Sequence, residues 1–240
     1  MTRIAILGAK GRMGRALARL APEHDAEVVY AFDTGEGDLA ELGRHNVRVL
    51  VDFSTPAVVA QAAHMCASTG IAIVSGTTGL DDDARAALDD AARRVPVLWE
   101  PNMSVGVFVL GDLLRRALAM LGASVDVEIV ETHHAMKADA PSGTANRLAE
   151  VVRAHREGPL VTGRSGKPGP RTRGEVGVLA VRGGDVVGDH TVHLLGIGER
   201  IELTHRATSR DVFAMGALRA ATWIAGKPAG RYTLADVIKT

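Results

Sequence analysis

The segment Ile4–Gly14, with the sequence IAILGAKGRMG, decides the fold that we predict for this chain. Its first four residues are apolar, which is typical of a buried strand, and the stretch Arg12–Leu20 has the composition of a helix. Glycines between a strand and a helix let backbone N–H groups approach a phosphate, and the helix start adds the positive end of its dipole. The segment therefore predicts a dinucleotide-binding unit at the start of the chain.

The same alternation of apolar runs and helical stretches continues through the first hundred residues. Predicted strands cover Ile4–Leu7, Glu27–Phe32, Val47–Phe53, Ile71–Ser75 and Val95–Trp99, and predicted helices cover Arg12–Leu20, Ala57–Ser68 and Asp82–Arg93. Apolar strands separated by helices are typical of a parallel sheet that is covered on both faces and joined by right-handed crossovers. We predict an α/β fold with an N-terminal Rossmann-like, doubly wound parallel sheet in residues 1–103.

The pattern changes after Pro101-Asn102, where helices become fewer. Predicted helices cover Val107–Leu121 and Gly143–His155, and predicted strands cover Val125–Glu131, Glu175–Arg182, His190–Leu195 and Arg200–His205, the last three of them interpreted as antiparallel. A loop rich in Gly, Pro and Arg separates two of these elements at 158–174. We predict a second α+β domain in 104–209 with a mixed or antiparallel open sheet. On pattern alone, the last helix, Asp211–Ala225, fits either domain.

Composition excludes several classes of function. The 240 residues carry 28 Lys and Arg against 28 Asp and Glu, and only 3% are aromatic, which argues against a nucleic-acid partner. A single cysteine, Cys66, excludes a disulfide framework and favours a reducing compartment. We predict no targeting segment, and the uncharged stretch 53–80 contains too many polar residues and glycines, together with Pro56, for a membrane span. We therefore predict a soluble, cytoplasmic protein.

Three glycines and one acid define the predicted dinucleotide site. Gly8, Gly11 and Gly14 follow the GxxGxxG spacing, and Asp33 lies 19 residues beyond Gly14, at the end of the second predicted strand. A carboxylate at that point accepts hydrogen bonds from the ribose hydroxyls of a dinucleotide. The alternative is a simple glycine turn with an unrelated surface aspartate.

The residues around Asp33 bear on the choice between NADH and NADPH. A carboxylate repels a 2′-phosphate, and its neighbour Thr34 provides no guanidinium to bind one. We therefore expect NADH to be preferred or used equally, although Lys10, Arg12 and Arg15 are basic residues that could compensate.

Two further loops follow predicted strands at the edge where ligands bind in open α/β sheets. Gly76, Thr77 and Thr78 follow the fourth strand, and Glu100–Met103 follows the fifth. We predict that these loops contact the nicotinamide half of the cofactor. Ordinary turn chemistry is the alternative for both.

The segment Glu131–Ala145, with the sequence ETHHAMKADAPSGTA, carries the richest chemistry in the chain. Histidine exchanges protons near neutral pH, and Lys137 adds a positive charge close to both histidines. A Pro-Ser-Gly-Thr run is a helix start, so the N–H groups of Gly143 and Thr144 form an anion site. Because neighbouring residues of an extended chain point to opposite sides, His133 and His134 are expected to differ in role.

Other interpretations of these residues stay open at this point. The segment is also compatible with a capped helix that carries surface histidines. No HExxH or CxxC motif accompanies the paired histidines, so we predict no metal site. Cys66 is expected in the core, and His190, His193 and His205 are expected on strand surfaces or at an interface.

Over nearly its whole length the chain resembles the dihydrodipicolinate reductase family. The resemblance covers GAKGRMG at Gly8–Gly14, VDFS at Val51–Ser54, GTTG at Gly76–Gly79, PNMSVG at Pro101–Gly106, HHAMKADAPSGTA at His133–Ala145, GDH at Gly188–His190 and HRATSRDVFA at His205–Ala214. The HHxxKxDAPSGTA run is the most specific of these motifs, whereas the glycine loop occurs in many dinucleotide-binding proteins.

The resemblance implies an enzyme that uses NADH or NADPH to reduce a cyclic imine dicarboxylate to tetrahydrodipicolinate in the diaminopimelate route to lysine. It implies that His133 is the proton donor and acceptor, that Lys137 is a second proton donor, and that His134, Gly143 and Thr144 bind the substrate. The implied cofactor contacts are Gly8, Ala9, Lys10, Gly11, Arg12, Met13, Asp33, Gly76, Thr77, Thr78, Glu100, Pro101, Asn102 and Met103. A homotetramer joined through the sheet of the second domain is implied as well, with the chain returning to the first domain at 210–240.

Two positions depart from the family pattern, and two other functions compete with the reductase. Thr34 stands where an arginine is common, and Glu100 stands where a small residue is common before Pro-Asn. The competing functions are another two-domain Rossmann oxidoreductase, such as an amino-acid dehydrogenase, and a dinucleotide sensor without activity. Neither explains why His133 and Lys137 occur together beside the Pro-Ser-Gly-Thr run.

Overall fold

The computed structural model describes residues 1–33 and 35–238, and this part of the chain divides into two compact units. The first contains Met1–Val105 together with the chain from Arg210 onward, and the second contains Gly106–Ser209. The dinucleotide and substrate roles assigned to these two parts of the sequence stay predictions.

A parallel sheet forms the centre of the first unit. Its strands are β1 (Thr2–Leu7), β2 (Ala26–Phe32), β3 (Val49–Asp52), β4 (Ala72–Ser75), β5 (Pro96–Trp99) and β11 (Gly230–Tyr232). They pair in the order β11-β5-β4-β3-β1-β2, and every pair is parallel. All residues of β3 and β4 are buried, as their apolar sequences predict for central strands that are covered on both faces.

Helices cover this sheet. They are α1 (Arg12–Leu20), α2 (Pro56–Thr69), α3 (Asp82–Ala91), α6 (Asp211–Ile224) and α7 (Leu234–Ile238), with single 3-10 turns at Ala21–His24 and Leu39–Gly43. Helix α6 packs against α1 and the central strands. The sequence pattern of this helix was compatible with either domain, and the structure places it in the first unit. The predicted doubly wound parallel sheet is confirmed.

The second unit places a mixed sheet beside two helices. Its elements are α4 (Val105–Leu121), β6 (Asp126–His133), α5 (Gly143–Arg153), β7 (Leu160–Val161), β8 (Val176–Arg182), β9 (Gly188–Leu195) and β10 (Arg200–Ala207), with a 3-10 turn at Gly122–Ser124. The strand order is β10-β9-β6-β8-β7. Leu110, Leu114 and Leu118 of α4 pack with apolar residues of α5, β6, β8 and β9 in one core.

The direction of β8 differs from the prediction. Glu175–Arg182 was interpreted as one of three antiparallel strands, but β8 runs parallel to β6, whereas β9 is antiparallel to both β6 and β10. Helix α5 and the segment that follows it return the chain to the end of the sheet where β6 began, so β8 enters in the same direction. Strand β7 lies within the predicted loop 158–174, parallel to β8 at the edge of the sheet.

On the second sheet, Val181 is exposed on the face opposite the core, whereas Ile201 lies opposite Leu194 on the core side of the edge strand β10 and is exposed there. Across residues 1–33 and 35–238, we find no helix with the length and apolar character needed to cross a membrane.

Candidate active site

The glycine turn after β1 is closed by direct backbone packing. Gly8 has φ +86°, and a Cβ atom at this position would lie 2.4 Å from the carbonyl oxygen of Phe53. A Cβ atom at Gly14 would lie 2.3 Å from the carbonyl oxygen of Gly8. Gly11 is the N-cap residue of α1, and as a glycine it has no side chain that could cap the helix start. The turn therefore requires glycine at both Gly8 and Gly14, and the N-cap residue contributes no side-chain cap to the backbone N–H groups of the helix start.

Asp33 and Lys10 are held together at the end of β2. The carboxylate of Asp33 accepts a hydrogen bond of 2.7 Å from the backbone N–H of Lys10, and the ammonium of Lys10 forms an ion pair with Glu36. The predicted ribose-binding acid thus contacts the glycine turn directly. Thr34, on which the expectation about NADPH partly depends, lies outside the described residues.

A cavity of about 480 Å³ opens at the carboxyl ends of the strands of the first unit. Predicted cofactor contacts line it at Gly11–Met13, Gly76–Thr78 and Pro101–Met103. Gly8, Ala9, Lys10, Asp33 and Glu100 are not among its lining residues. Phe53, Ser54 and Phe213 line the cavity and were not predicted as contacts, although Phe53 ends a predicted strand and Ser54 follows it, which was the signal available.

The buried carboxylate of Asp52 organises two of the loops at this cavity. It accepts hydrogen bonds from the Ser75 hydroxyl at 2.6 Å, from the Thr77 hydroxyl at 2.8 Å and from the Ser54 N–H at 3.0 Å. The indole of Trp99 donates to the carbonyl oxygen of Thr77. Thr77 is thus fixed from both sides, and its hydroxyl is already used within the protein.

In the second unit, the alternation of β6 places two polar residues on the core face. Val127, Ile129, Glu131 and His133 are buried at every second position, while the residues between them are more exposed. Nδ1 of His133 lies 2.5 Å from a carboxylate oxygen of Glu131, whose side chain is fully buried. The strand period therefore brings the predicted proton donor onto a buried carboxylate two residues away.

Arg182 and Ser142 complete the surroundings of Glu131. The guanidinium of Arg182 donates to both carboxylate oxygens, each at 2.8 Å, and the backbone N–H of Ser142 donates to one of them at 3.1 Å. Ser142 is also the N-cap residue of α5, where its hydroxyl accepts a hydrogen bond from the N–H of Ala145. Gly143 and Thr144 form the first positions of that helix, and their role as an anion site stays a prediction.

Lys137 and His134 lie on the loop between β6 and α5. The ammonium of Lys137 donates to Asp139 at 2.6 Å, and the carbonyl oxygen of Asp139 accepts a hydrogen bond of 2.6 Å from Arg182. The backbone N–H of His134 donates to the carbonyl oxygen of Val186. Arg182 thus connects the loop that carries Lys137 to the carboxylate that contacts His133.

His190 corrects the prediction of a strand-surface histidine. It is 4% exposed, its ring packs edge-to-face on that of His133 with centroids 5.2 Å apart, and its Nε2 lies 3.2 Å from the Ser142 hydroxyl. Strand pairing causes this, because β9 places His190 opposite Glu131. The prediction that Cys66 is a core residue is confirmed, since this side chain is fully buried.

The described residues include no group of three or more His, Cys, Asp or Glu side chains arranged to hold a metal ion.

Family comparisons cover both units. The family model described as dihydrodipicolinate reductase, N-terminus, matches residues 2–103, and the model described as dihydrodipicolinate reductase, C-terminus, matches residues 106–238. The chain belongs to the dihydrodipicolinate reductase family. The membership predicted from the sequence motifs is thereby confirmed.

Relatives of this dihydrodipicolinate reductase family member align over almost the whole chain. A 4-hydroxy-tetrahydrodipicolinate reductase from Acinetobacter baumannii is 41% identical, with 98% of this chain and 96% of the relative covered. One from Alkalilimnicola ehrlichii is 44% identical, with 99% and 98% covered.

Solved structures support the fold. A dipicolinate-bound dihydrodipicolinate reductase from a Paenisporosarcina species matches with a TM-score of 0.79 at 21% identity and covers 97% of both chains. A probable dehydrogenase from Thermotoga maritima matches with a TM-score of 0.59 at 14% identity and covers 98% of this chain and 92% of its own.

The surroundings of the cluster in this family member shift several pKa values. Burial alone would raise the pKa of Glu131, but hydrogen bonds from Arg182, His133 and Ser142 outweigh burial and hold it below its usual value. The same contact to Glu131 raises the pKa of Arg182. The hydrogen bond from Lys137 lowers the pKa of Asp139. Glu131, Asp139 and Arg182 are therefore charged at neutral pH.

Burial, reinforced by the neighbouring His133, lowers the pKa of His190 to about 4. His190 is consequently neutral at physiological pH, and its Nδ1 is buried with no hydrogen-bond partner among the described residues.

Proposed function

We propose that this chain uses a reduced nicotinamide dinucleotide to convert 4-hydroxy-tetrahydrodipicolinate, via dihydrodipicolinate, to tetrahydrodipicolinate in the diaminopimelate route to lysine. One observation carries the proposal: a buried acid–base pair, Glu131 and His133, lies beside Lys137 in a chain that aligns end to end with reductases of that name. The reaction requires a proton donor next to a site for a dianion, and this cluster supplies both.

Substrate binding is assigned to the start of α5 and the loop before it. The N–H groups of Gly143 and Thr144 stand at the positive end of the helix dipole, which favours a carboxylate. Lys137 and His134 add donors on the same loop. The solved Paenisporosarcina reductase is described with dipicolinate bound, which is an aromatic dicarboxylate of the same chemical class.

Proton transfer is assigned to His133, with Lys137 as a second donor. Reduction of a conjugated imine leaves electron density on ring atoms that must accept a proton. A positioned acid that stabilises this charge and delivers the proton contributes about 10²–10⁴-fold to the rate. His133 suits this role because Glu131 occupies its Nδ1 and not its Nε2.

The residues of the first unit fit a pyridine dinucleotide. Side chains at Gly8 or Gly14 would collide with backbone atoms, so the turn is built for close backbone approach, and the cavity of about 480 Å³ is lined by the other predicted contact loops. When bound, the reduced nicotinamide supplies a hydride. Gly8–Met13 would hold the pyrophosphate, Asp33 the ribose, and Gly76–Thr78 with Glu100–Met103 the nicotinamide half.

NADH is assigned as the preferred or equal cofactor. Asp33 carries a negative charge where a 2′-phosphate would lie, and Lys10, a candidate cation on the glycine turn, is paired with Glu36. Both features disfavour an additional phosphate through charge repulsion and loss of a free cation.

Cytoplasmic location and a homotetramer belong to the same proposal. The single cysteine is buried, which suits a reducing compartment, and the second sheet exposes the apolar side chains of Val181 on one face and Ile201 on the other. Sedimentation equilibrium of the purified chain is expected to give four times the monomer mass. A monomer at micromolar concentration would remove the tetramer from the proposal.

The direct test is a coupled assay. Substrate is generated freshly from pyruvate and aspartate semialdehyde, and oxidation of NADH or NADPH is followed by absorbance. We expect turnover that depends on the substrate, with kcat/KM for NADH at least equal to that for NADPH. Binding of NADH without turnover would instead favour a dinucleotide sensor, and turnover only with amino or hydroxy acids would favour another dehydrogenase.

Lys137→Met provides a test at the level of one residue. Loss of the ammonium removes both a proton donor and a partner for a substrate carboxylate, so we expect kcat to fall and KM for the substrate to rise, each by about tenfold or more. Lys167→Met, at an exposed lysine in the segment 158–174, is the matched control and should leave both constants unchanged. Wild-type constants for Lys137→Met would remove this residue from the site.

A further inference from the structure

We propose that Glu131 is the positioning residue of this site: its carboxylate fixes the orientation and tautomer of His133 and ties that histidine to Arg182 and to the start of α5. The inference rests on the proposed function, since it names a further residue of the same site.

The first step is the tautomer of His133. A carboxylate can only accept a hydrogen bond, so the 2.5 Å contact between Nδ1 and Glu131 places a proton on Nδ1. Nε2 is then the ring nitrogen that gains or releases the exchangeable proton. Without this contact, the imidazole would be distributed over two tautomers and two ring orientations. Only one of these four combinations has the fixed proton on Nδ1 at Glu131 and leaves Nε2, in its present position, to exchange the proton.

The second step is the space beside Nε2. A Cβ atom at Gly188 would lie 2.9 Å from Nε2 of His133. The backbone of Gly188 is not in the left-handed region, so the need for glycine here is a need for space. Because Gly188 has no side chain, the space next to Nε2 of His133 stays open. The atom that donates the proton is therefore accessible.

The third step concerns the charge of Glu131. A fully buried carboxylate without a partner is strongly disfavoured, and the fork of Arg182, with both contacts at 2.8 Å, keeps it ionised and fixed in the plane of the guanidinium. The Glu131–Arg182 pair is neutral in sum. A proton on His133 therefore adds a full positive charge to the cluster, next to the site assigned to a dianion.

The fourth step links Glu131 to the rest of the site. The oxygen that does not contact His133 accepts the N–H of Ser142, the N-cap residue of α5. Arg182 also binds the carbonyl oxygen of Asp139, whose side chain holds Lys137. One carboxylate thus sets the positions of the acid, the helix start and, through Arg182, the second proton donor.

The decisive experiment is NMR of the full chain labelled with ¹⁵N-histidine, without substrate or cofactor. The wild-type His133 signal, assigned through its loss in His133→Asn, should show a proton on Nδ1 with a far-downfield resonance, as expected for a short hydrogen bond to a carboxylate. Glu131→Gln should abolish that resonance. A neutral wild-type His133 that carries its proton on Nε2 would overturn the proposal, even if Glu131→Gln fails to fold.

Glu128→Gln is the matched control. Glu128 lies on the same strand, is paired with Arg164 and Arg171, and points to the opposite face of the sheet from Glu131. It loses the same charge, so it should keep the His133 resonance. Loss of the resonance in both variants would show a general effect of charge removal and would contradict a specific role for Glu131.

Kinetics supply the second readout. Glu131→Gln should lower kcat by about tenfold or more with KM for the cofactor unchanged, whereas Glu128→Gln should retain wild-type kcat. Because a carboxylate favours the protonated imidazole, the alkaline decline of kcat should move to lower pH in Glu131→Gln. Arg182, His190, Lys137 and Asp139 are the other charged or titratable groups of this cluster and are the same in both variants.

Gly188→Ala separates positioning from proton transfer. Its Cβ atom meets Nε2 and not Nδ1, so kcat should fall while the Nδ1 resonance remains.

If the wild-type chain does not reduce the substrate, the proposed function fails and the NMR result still decides the role of Glu131. If the wild-type chain is active and Glu131→Gln has wild-type kcat and pH dependence, the positioning role fails alone.

Discussion

At the scale of single residues, His133 is nearly enclosed, with 8% of its surface exposed, and one of its ring nitrogens is held by a carboxylate. His133→Gln removes the exchangeable proton and keeps a polar side chain of similar length. We expect kcat to fall by about 10²–10⁴-fold, the contribution of a positioned acid.

Affinity for NADH should stay at the wild-type value in His133→Gln, because the residues assigned to the cofactor all lie in the first unit. Steady-state kinetics and titration of NADH fluorescence measure the two quantities separately. A matching loss of NADH affinity would assign His133 a structural role.

Glu36 controls the charge next to the predicted ribose site. It pairs with Lys10, whose backbone N–H is bound to Asp33. Glu36→Gln frees the ammonium for a 2′-phosphate, and because the pair is exposed we expect a modest gain of about two- to fivefold in kcat/KM for NADPH relative to NADH. Glu41→Gln, in an exposed pair with Arg44, is the control. An unchanged cofactor ratio in Glu36→Gln would show that Lys10 does not reach the phosphate.

At the scale of elements, Asp52 joins the ends of β3 and β4 to the loops that line the cavity. Asp52→Ala removes the acceptor of the Ser75 and Thr77 hydroxyls and one of the two acceptors of the Ser54 N–H. Loss of these buried hydrogen bonds should reduce the free energy of unfolding by about 2–4 kcal/mol and raise KM for the cofactor.

Asp81→Ala is the comparison for Asp52→Ala, since Asp81 also accepts a backbone N–H, at the start of α3. It should cost about 1 kcal/mol, as for other N-caps, and leave KM for the cofactor unchanged. Urea denaturation and cofactor kinetics test both variants. Equal effects on KM would mean that Asp52 contributes only stability.

The elements also explain which parts of the candidate site the sequence could predict. His133, Lys137 and the start of α5 lie within a dozen residues of one another, so local spacing was sufficient. Arg182 and His190 come from strands 51 and 48 residues away from their partners Glu131 and Ser142, and only strand pairing brings them in. Glu131 did have a local signal: it continues the buried alternation of Val127 and Ile129, and a carboxylate on a core face requires a partner.

At the scale of the whole molecule, the parallel sheet was predictable because its central strands are continuous apolar runs. Strands β11 and β7 could not be predicted from the sequence. They contain only three and two residues, and each is held by pairing with a neighbouring strand at the edge of its sheet. The direction of β8 was predicted wrongly because a strand's direction depends on where its connection re-enters the sheet. The intervening helix α5 held that information, as a strand–helix–strand connection favours parallel pairing.

The stability of the whole chain should depend on pH through His190. Its pKa is about 4 in the folded state and about 6.5 in an unfolded chain, so the unfolded state binds more protons between these values. The neutral form therefore stabilises the fold fully above pH 6.5, and this contribution is lost as the pH falls toward 4. Between pH 7 and pH 5, above the range where most carboxylates titrate, we expect a loss of about 2 kcal/mol.

His190→Gln should remove this component, whereas His64→Gln, at an exposed histidine of α2, should retain it. His205, whose pKa is also lowered by burial, leaves a smaller dependence in both variants. Urea denaturation at pH 5, 6 and 7 gives the free energy of unfolding directly. If His190→Gln lost as much stability as the wild type between pH 7 and pH 5, the acid sensitivity would arise from groups other than the buried histidine beside His133.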